Sequence, residues 1–229
     1  AYNIKTSVTS YHEHSKRAKL DYLLNYLEKE DVALVSEAGM PGLSDPGYEL
    51  VVAAISRGIP VVPIPGVSAV TAALVVSGLP ADQFLYLGFL PRHRGQKQHL
   101  LGSIAGEPRT IIAFEAPHRL RETLSAIQEV LGDRRLAVCR ELTKVYEEVF
   151  RGKVSQAREH FTEPRGEFTL VIEGKAEEGA EVSEEVERRL CELCQQGIRA
   201  KEAISRVSEI SGLSKRKLYQ AWLKFGKGD

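Results

Sequence analysis

The sequence predicts an α/β protein with two α/β domains and a helical tail. In the first 82 residues helix and strand patterns alternate, which is typical of a parallel sheet covered by helices. The next part of the chain is richer in strands, which favours a mixed sheet. From residue 184 onward the apolar spacing is helical throughout. We therefore expect domains at 1–82 and 83–175, a linker at 176–183 and a tail at 184–229.

The first domain begins with an amphipathic helix at 16–29, whose leucines recur at helical spacing. A short apolar run at 32–36 follows and indicates a buried strand. The pattern then gives a helix at 46–57, a second strand at 60–64 and a helix of small residues at 68–77. This alternation is the basis for the predicted parallel sheet.

The second domain is predicted from the same kinds of pattern. Strands are expected at 84–89, 109–114, 135–140, 145–151 and 167–173, with helices at 96–105 and 117–131. The tail then resolves into helical patterns joined by a glycine turn at 212, which is the outline of a helix-turn-helix.

Composition excludes several classes of protein. Lys+Arg and Asp+Glu number 31 each, so the net charge is zero and gives no global indication of a nucleic-acid partner. Three cysteines in 229 residues argue against a disulfide framework and predict a reducing, cytoplasmic setting. No apolar run approaches the roughly 20 residues needed to span a bilayer.

The most informative stretch is the glycine-bearing loop at 36–47, which reads SEAGMPGLSDPG. It joins a predicted strand end to a helix start, and open α/β sheets bind small ligands at such junctions. Its glycines allow a ligand to approach the main chain closely. On the residues alone, both a ligand site and a simple tight connection stay open.

Positive charge is concentrated in the tail. Residues 197–228 hold eight Lys or Arg and two acidic residues, a net charge of +6 in a neutral chain. Three of these cations, Lys215, Arg216 and Lys217, fall in the first turn of the last predicted helix, where they oppose the helix dipole. An anionic partner such as RNA therefore explains them better than helix stability does. A solvated basic face is the alternative.

Six segments in register resemble the 16S ribosomal RNA 2′-O-ribose methyltransferases of the tetrapyrrole methylase superfamily. They read VALVSEAGMPGLSDPGYELV, GIPVVPIPGVSAVTAALVVSGLP, FLYLGFLPR, FEAPHRL, CRELTKVYEEVFRG and GEFTLVIEG. The tail also resembles the helical extension of that family. The resemblance implies a cleft between two α/β domains that holds S-adenosylmethionine. It further implies methylation of a cytidine 2′-hydroxyl in 16S ribosomal RNA, and a homodimer.

The resemblance also implies site residues. Cofactor contacts are expected from the glycine loop, a second loop before the helix at 68–77, and two segments of the second domain: Glu37, Ala38, Gly39, Ser68, Ala69, Phe89, Leu90, Phe168 and Thr169. Burial in the core is an equal alternative for Phe89 and Phe168, and Ser68 is also expected to cap its helix. From their charge, RNA contacts are expected in the tail, in a basic run at 92–99 read as a mobile loop, and at the strand-to-helix junction before residue 120: Arg92, Arg94, Lys97, Arg119, Lys215, Arg216 and Lys217.

The sequence does not name a general base. A ribose hydroxyl is a poor nucleophile until its proton is taken, so Glu115 and His118, at a strand-to-helix junction, are candidates. The structural alternative, which the residues favour, is that Pro117 starts a helix while Glu115 caps it or pairs with Arg119. No metal site is expected, because the one Cys-x-x-Cys pair has no second pair nearby.

Compared with that family, the chain starts late. A first strand and its Pro-x-Gly-Asn-type loop are expected before Ser10 and are not in this sequence, so the first domain reads as truncated. Two other functions stay open. A tetrapyrrole (precorrin-type) C-methyltransferase is disfavoured by the basic tail, because a small substrate needs no such arm. A non-catalytic RNA- or ribosome-binding protein is the other.

Overall fold

The computed structural model of the chain describes residues 3, 5–12, 17–36, 39–175 and 182–225. The chain divides into two compact units, 1–175 and 176–229. Helices of the first unit are α1 Arg17–Leu27, α2 Tyr48–Ser56, α3 Ala69–Ser77, α4 Arg94–Ser103, α5 Leu120–Leu131 and α6 Val154–His160, with a 3₁₀ turn at Pro117–Arg119. Its strands are β1 Phe84–Phe89, β2 Thr110–Glu115, β3 Arg135–Arg140, β4 Glu148–Lys153 and β5 Phe168–Ile172.

The five strands form one mixed sheet in the order β1-β2-β5-β3-β4. β1 and β2 are parallel, whereas β5 runs antiparallel to both β2 and β3, and β4 antiparallel to β3. The mixed sheet predicted for this part of the chain is therefore confirmed. These strand directions place the carboxyl ends of β1, β2 and β3 at the same edge of the sheet as the amino ends of β4 and β5.

Both faces of the sheet are covered. On one face Ile111, Val138 and Leu170 pack against α4, α5 and α6. On the other face Ile112 and Ala137 pack against α3. The central strands β2 and β5 are buried on both sides, which explains why they read as continuous apolar runs rather than as alternating ones.

The two strands predicted at 32–36 and 60–64 lie outside any β-ladder. Val35 is 78% exposed and Ile64 is 81% exposed, so neither segment is a buried strand. An apolar run becomes a strand only when a neighbouring segment pairs with its backbone, and the described residues of 1–82 supply no such pairing. In place of the predicted parallel sheet, α1 and α2 pack against each other through a small apolar core.

Two local predictions in the second domain are wrong. The basic run at 92–99, read as a mobile loop, contains the start of α4 at Arg94. Helix α6 has no counterpart among the predictions, because its seven residues bury only Val154 and Ala157 and give too short a period to recognise. Strand β4 covers Glu148–Lys153, later than the predicted 145–151, because these are the residues that pair with β3.

The second unit has the predicted helix-turn-helix outline. Its helices are α7 Glu184–Gln195, α8 Ala200–Ser211 and α9 Lys215–Trp222. Gly212 ends α8 with a φ of 69°, the left-handed conformation that glycine adopts most easily. Ser214 caps α9, since its hydroxyl accepts a hydrogen bond from the Lys217 amide at 3.4 Å. Leu190, Ile204 and Leu218 are among the residues that build its own core.

Among the helices in the described residues, none is long and apolar enough to cross a membrane.

Candidate active site

The residues proposed for the second domain converge on one edge of the sheet. Glu115, at the carboxyl end of β2, pairs in register with Phe168 at the start of β5. Phe168 in turn lies opposite Arg140, which lies opposite Glu148. Phe89 ends β1 beside β2. This carboxyl edge, as we call it below, is where parallel strands of α/β folds present ligand-binding groups.

The glycine loop is tethered to β1 close to this edge. The Ser44 hydroxyl lies 2.5 Å from the Tyr86 phenol oxygen. Ser44 has a φ of 61°, a left-handed conformation that costs an L residue energy. At Gly88, a Cβ would lie 3.2 Å from the Ser44 oxygen, so the loop and the strand approach each other closely. The sequence gives no sign of this contact, because a tyrosine within an apolar strand reads as core.

Within the loop, Gly39 has a φ of +76° and Gly42 a φ of +81°. A Cβ built on either residue would meet no atom of the described residues within 4 Å. The main chain here is therefore open to a ligand, as the glycine pattern suggests. Glu37 and Ala38, which precede Gly39, lie outside the described residues.

Three aromatic rings, those of Tyr86, Phe89 and Phe114, lie next to the Ser44–Tyr86 contact, which we call the tether. Phe114 makes edge-to-face contacts with Tyr86 at 5.4 Å and with Phe89 at 5.5 Å between centroids. Phe89 is 55% exposed, so its ring is not part of the core. Thr169 lies opposite Phe114 in the register and is buried on the same face of the sheet. Phe89 and Thr169 therefore share the face on which Ser44 is held.

Two other proposed cofactor residues have buried side chains. The Phe168 ring packs on Phe161 at 5.5 Å and belongs to the core on the α5 side. Leu90 is 2% exposed, and its carbonyl oxygen accepts a hydrogen bond from Arg119 at 3.2 Å. Neither side chain is therefore available to a ligand at the edge. The core alternative is thus the one observed for Phe168, but not for Phe89.

Ser68 and Ala69 lie at the start of α3 and are half-buried. Ser68 occupies the N-cap position, yet its hydroxyl makes no capping hydrogen bond, so the expected cap is wrong. Its carbonyl oxygen instead accepts from the Ala72 amide at 2.9 Å and the Thr71 hydroxyl at 3.2 Å. The helix end is held by the backbone, which leaves the Ser68 hydroxyl uncommitted to the cap.

The two candidate bases differ in environment. Glu115 is buried and forms an ion pair with Arg119 at 2.5 Å, which is the pairing expected from the structural alternative. A carboxylate held in this way has given its lone pairs to internal donors and is a poor base. His118 is exposed on the 3₁₀ turn at Pro117–Arg119. Only His118 stays accessible as a candidate.

Of the residues predicted to contact RNA in the basic run at 92–99, two are exposed and one is buried. Arg92 and Arg94 are exposed, with Arg94 at 3.7 Å from Glu129. Lys97, in contrast, is fully buried on α4 and is not on the surface, so its assignment to an RNA contact is wrong. The run of basic residues in the sequence could not separate them, because the helical period that turns Lys97 inward begins only at Arg94.

In the tail, internal ion pairs take up part of the positive charge. Arg206 pairs with Glu202 at 2.6 Å, and Lys224 pairs with Glu187 at 2.7 Å. Lys215 is exposed in the first turn of α9, as predicted. Lys217 lies half-buried in the same turn, and the side chain of Arg216 lies outside the described residues.

Comparison with known families agrees with these features. Residues 2–158 match the tetrapyrrole (corrin/porphyrin) methylases, and residues 180–225 match the RsmI C-terminal HTH domain. The chain is 42% identical to ribosomal RNA small subunit methyltransferase I of Halalkalibacterium halodurans, over 96% of this chain and 79% of that protein. It is 45% identical to the protein of that name from a Synechocystis species, over 97% of this chain and 82% of the relative.

Solved structures agree on the fold. The methyltransferase CobJ superposes with a TM-score of 0.53 at 16% identity, covering 69% of this chain and 70% of that one. Cobalt precorrin-4 methyltransferase CbiF gives a TM-score of 0.51 at 16% identity, covering 72% of each chain. The chain belongs to the tetrapyrrole methylase family, within the group of ribosomal RNA small subunit methyltransferase I.

Proposed function

We propose that this protein transfers a methyl group from S-adenosylmethionine to the 2′-hydroxyl of a cytidine in 16S ribosomal RNA of the small subunit. One observation carries the proposal: an open glycine loop is tethered to the carboxyl edge of a methylase-type sheet in a chain that also has a basic helix-turn-helix. The glycine loop suits a cofactor, and the tail suits a nucleic acid. The relatives are named ribosomal RNA small subunit methyltransferase I, which supports methyl transfer to the RNA of that subunit.

The residues present fit the cofactor. Gly39 and Gly42 leave open main chain on which polar groups of a ligand can find backbone donors and acceptors. The half-exposed Phe89 ring offers an apolar face for a planar base. When bound, S-adenosylmethionine supplies an electrophilic methyl group on a positively charged sulfur. The glycine loop, Ser68, Ala69, Phe89, Thr169 and the backbone of Leu90 and Phe168 would hold it.

The remaining work of the site is alignment and proton removal. Holding the hydroxyl in line with the methyl group converts a bimolecular step into one within a complex. His118 is exposed beside the carboxyl edge, and its imidazole can accept the hydroxyl proton. Because Glu115 is buried in its ion pair, we assign the base role to His118 and not to Glu115.

RNA would be held mainly by the tail. Residues 197–228 carry a net charge of +6, and Lys215 stands exposed at the start of α9, with Arg216 and Lys217 beside it in sequence. Arg92 and Arg94 add an exposed basic pair that follows the carboxyl end of β1. A small tetrapyrrole substrate would use neither feature, and for this reason we place the corrin-type alternative second. Homodimerisation and a cytoplasmic location, which the resemblance implies, stay predictions.

The decisive experiment is methyl transfer from labelled S-adenosylmethionine to small ribosomal subunits that lack the modification, followed by mapping of the labelled nucleotide. Label in a cytidine ribose of 16S RNA is the expected result. A parallel reaction with a precorrin-type substrate tests the alternative. Label on the tetrapyrrole, or RNA that binds without being labelled, would overturn the proposal in favour of one of the two other functions.

A further inference from the structure

A chain of buried polar groups lies directly behind the carboxyl edge. The Glu115 side chain is 0% exposed and receives three donors. They are the Thr123 hydroxyl at 2.5 Å, the Ala116 amide at 2.8 Å and the Arg119 guanidinium at 2.5 Å. Behind Thr123 lies the ammonium of Lys97, which donates to the Thr123 oxygen at 2.9 Å and whose side chain is also 0% exposed.

Burying polar and charged groups in this way destabilises the fold unless each group has a hydrogen-bond partner. A buried carboxylate or ammonium without partners is strongly disfavoured. Here each carboxylate oxygen of Glu115 has a donor, and the Lys97 ammonium has a second acceptor, Glu122, at 3.4 Å. Buried ion pairs contribute little net stability compared with apolar packing of similar volume. The network is therefore poorly explained as a device for stability alone.

The geometry instead suggests a role in holding backbone. Arg119 bonds both to Glu115 and to the carbonyl oxygen of Leu90, so it ties the segment after β1 to the end of β2. Glu115 also fixes the Ala116 amide, at the start of the 3₁₀ turn that carries His118. Thr123 on α5 donates to the same carboxylate, and Lys97 on α4 donates to the Thr123 oxygen. The network thus connects the end of β2, the 3₁₀ turn and α5 directly, and the segment after β1 and α4 through Arg119 and Thr123.

We propose that Glu115 and Arg119 are positioning residues, which set the backbone at Leu90 and the turn at Pro117–Arg119 so that the cofactor and His118 face each other. The proposal rests on the proposed function, because it takes this edge to be the cofactor site. It changes the roles expected from the sequence: Glu115 is not the base, and Arg119 acts on the protein's own main chain and not on RNA. The fork of Arg119 is needed because two acceptors must be bridged at once.

Two variants test this role without leaving a large cavity. Glu115→Gln keeps the shape and removes the charge. Arg119→Lys keeps the charge and removes the fork. Each variant disturbs hydrogen bonds to a charged group that hold the backbone of this edge, so we expect it to weaken S-adenosylmethionine binding, measured by calorimetry, about tenfold or more. Amide hydrogen exchange should speed up at Ala116 and through the turn at Pro117–Arg119.

Two controls separate positioning from lost stability. Glu122→Gln removes the contact at the exposed end of the network, since Glu122 is 56% exposed, and should leave binding unchanged. Ile127→Val trims the core on the same helix, α5, and should lower the melting temperature without changing affinity. The proposal fails if Glu115→Gln and Arg119→Lys bind the cofactor like the parent, or if their exchange at the turn matches that of Ile127→Val. If the parent protein itself binds no S-adenosylmethionine, the proposed function fails, and the exchange data still decide the positioning role.

Discussion

Replacing Tyr86 by Phe isolates the contact that holds the glycine loop. The change removes the phenol oxygen 2.5 Å from Ser44 and keeps the ring that packs on Phe114. A hydrogen bond of this kind contributes about 1 kcal/mol net. Burial raises the pKa of the Tyr86 phenol, so the hydroxyl is protonated at neutral pH and able to take part in the bond.

The loss should reach further than one bond. Ser44 holds a φ of 61°, and a left-handed L residue costs about 1–2 kcal/mol. Without Tyr86 nothing described offsets that cost, so the loop around Gly39 should leave its present position. We expect the free energy of unfolding to fall by about 1 kcal/mol. The dissociation constant for S-adenosylmethionine should rise about fivefold, which is the same energy expressed as affinity.

A double-mutant cycle with Ser44→Gly makes the reasoning refutable. Glycine relieves the backbone strain and removes the hydroxyl, so Tyr86→Phe should have no further effect in that background. Urea denaturation and calorimetry give the two free energies. Tyr146→Phe, at a tyrosine that is 72% exposed, is the matched control and should change neither. Equal costs of Tyr86→Phe in both backgrounds would show that the tether does not act on the loop.

Three further predictions follow from particular residues. Gly39→Ala should weaken cofactor binding, measured by calorimetry, about tenfold. The control Gly58→Ala, at a similar φ of +70° with equally open surroundings, should lower the free energy of unfolding by a similar amount without changing affinity. Equal affinities for the two variants would remove Gly39 from the site. Replacing Lys215, Arg216 and Lys217 by Gln should weaken binding to the small ribosomal subunit and reduce the slope of log K against log salt concentration by about 2. The control is Lys224→Gln, since Lys224 is already paired with Glu187. An unchanged slope would show that the tail is a solvated cap. Arg109 lowers the pKa of Glu107 from 4.5 to about 2, so its contribution to stability is present above pH 4.5 and is lost as the pH falls toward 2. Urea melts of Glu107→Gln and the parent should therefore differ at pH 7 and converge near pH 2.

The sequence predicts elements best where burial alone decides them. Strands β1, β2, β3 and β5 and helix α5 are found close to their predicted places, because each shows an apolar pattern matched to one packed face or two. The segments at 32–36 and 60–64 carry the same apolar signal but no ladder. Strand formation depends on a partner, and a partner cannot be read from the segment itself.

In the candidate site too, features with a local sequence pattern could be predicted, and contacts between distant residues could not. The glycine loop and the strand ends are visible in the sequence because glycine and strand–helix junctions have local signatures. The Ser44–Tyr86 tether and the contact between Lys97 and Thr123 join residues 42 and 26 positions apart, and no local pattern announces them. Lys97 is the clearest case: in a basic run it reads as a surface cation, and only the packing of α4 on α5 turns it inward.

The distribution of charge predicts which residues attract RNA and which affect the rate of methyl transfer. Residues 1–175 hold 21 Lys or Arg and 21 Asp or Glu and are neutral, and the −6 that balances the +6 of residues 197–228 lies in 176–196 and at Asp229. The unit with the carboxyl edge therefore has no general attraction for a polyanion, and several of its cations, such as Arg119, are bound to its own carboxylates. Attraction from the tail acts equally on bound substrate and transition state, so it lowers KM without raising kcat. Loss of tail cations should then raise KM steeply and leave kcat for subunit methylation nearly constant, whereas Arg119→Lys, at the carboxyl edge, should lower kcat even when RNA is saturating.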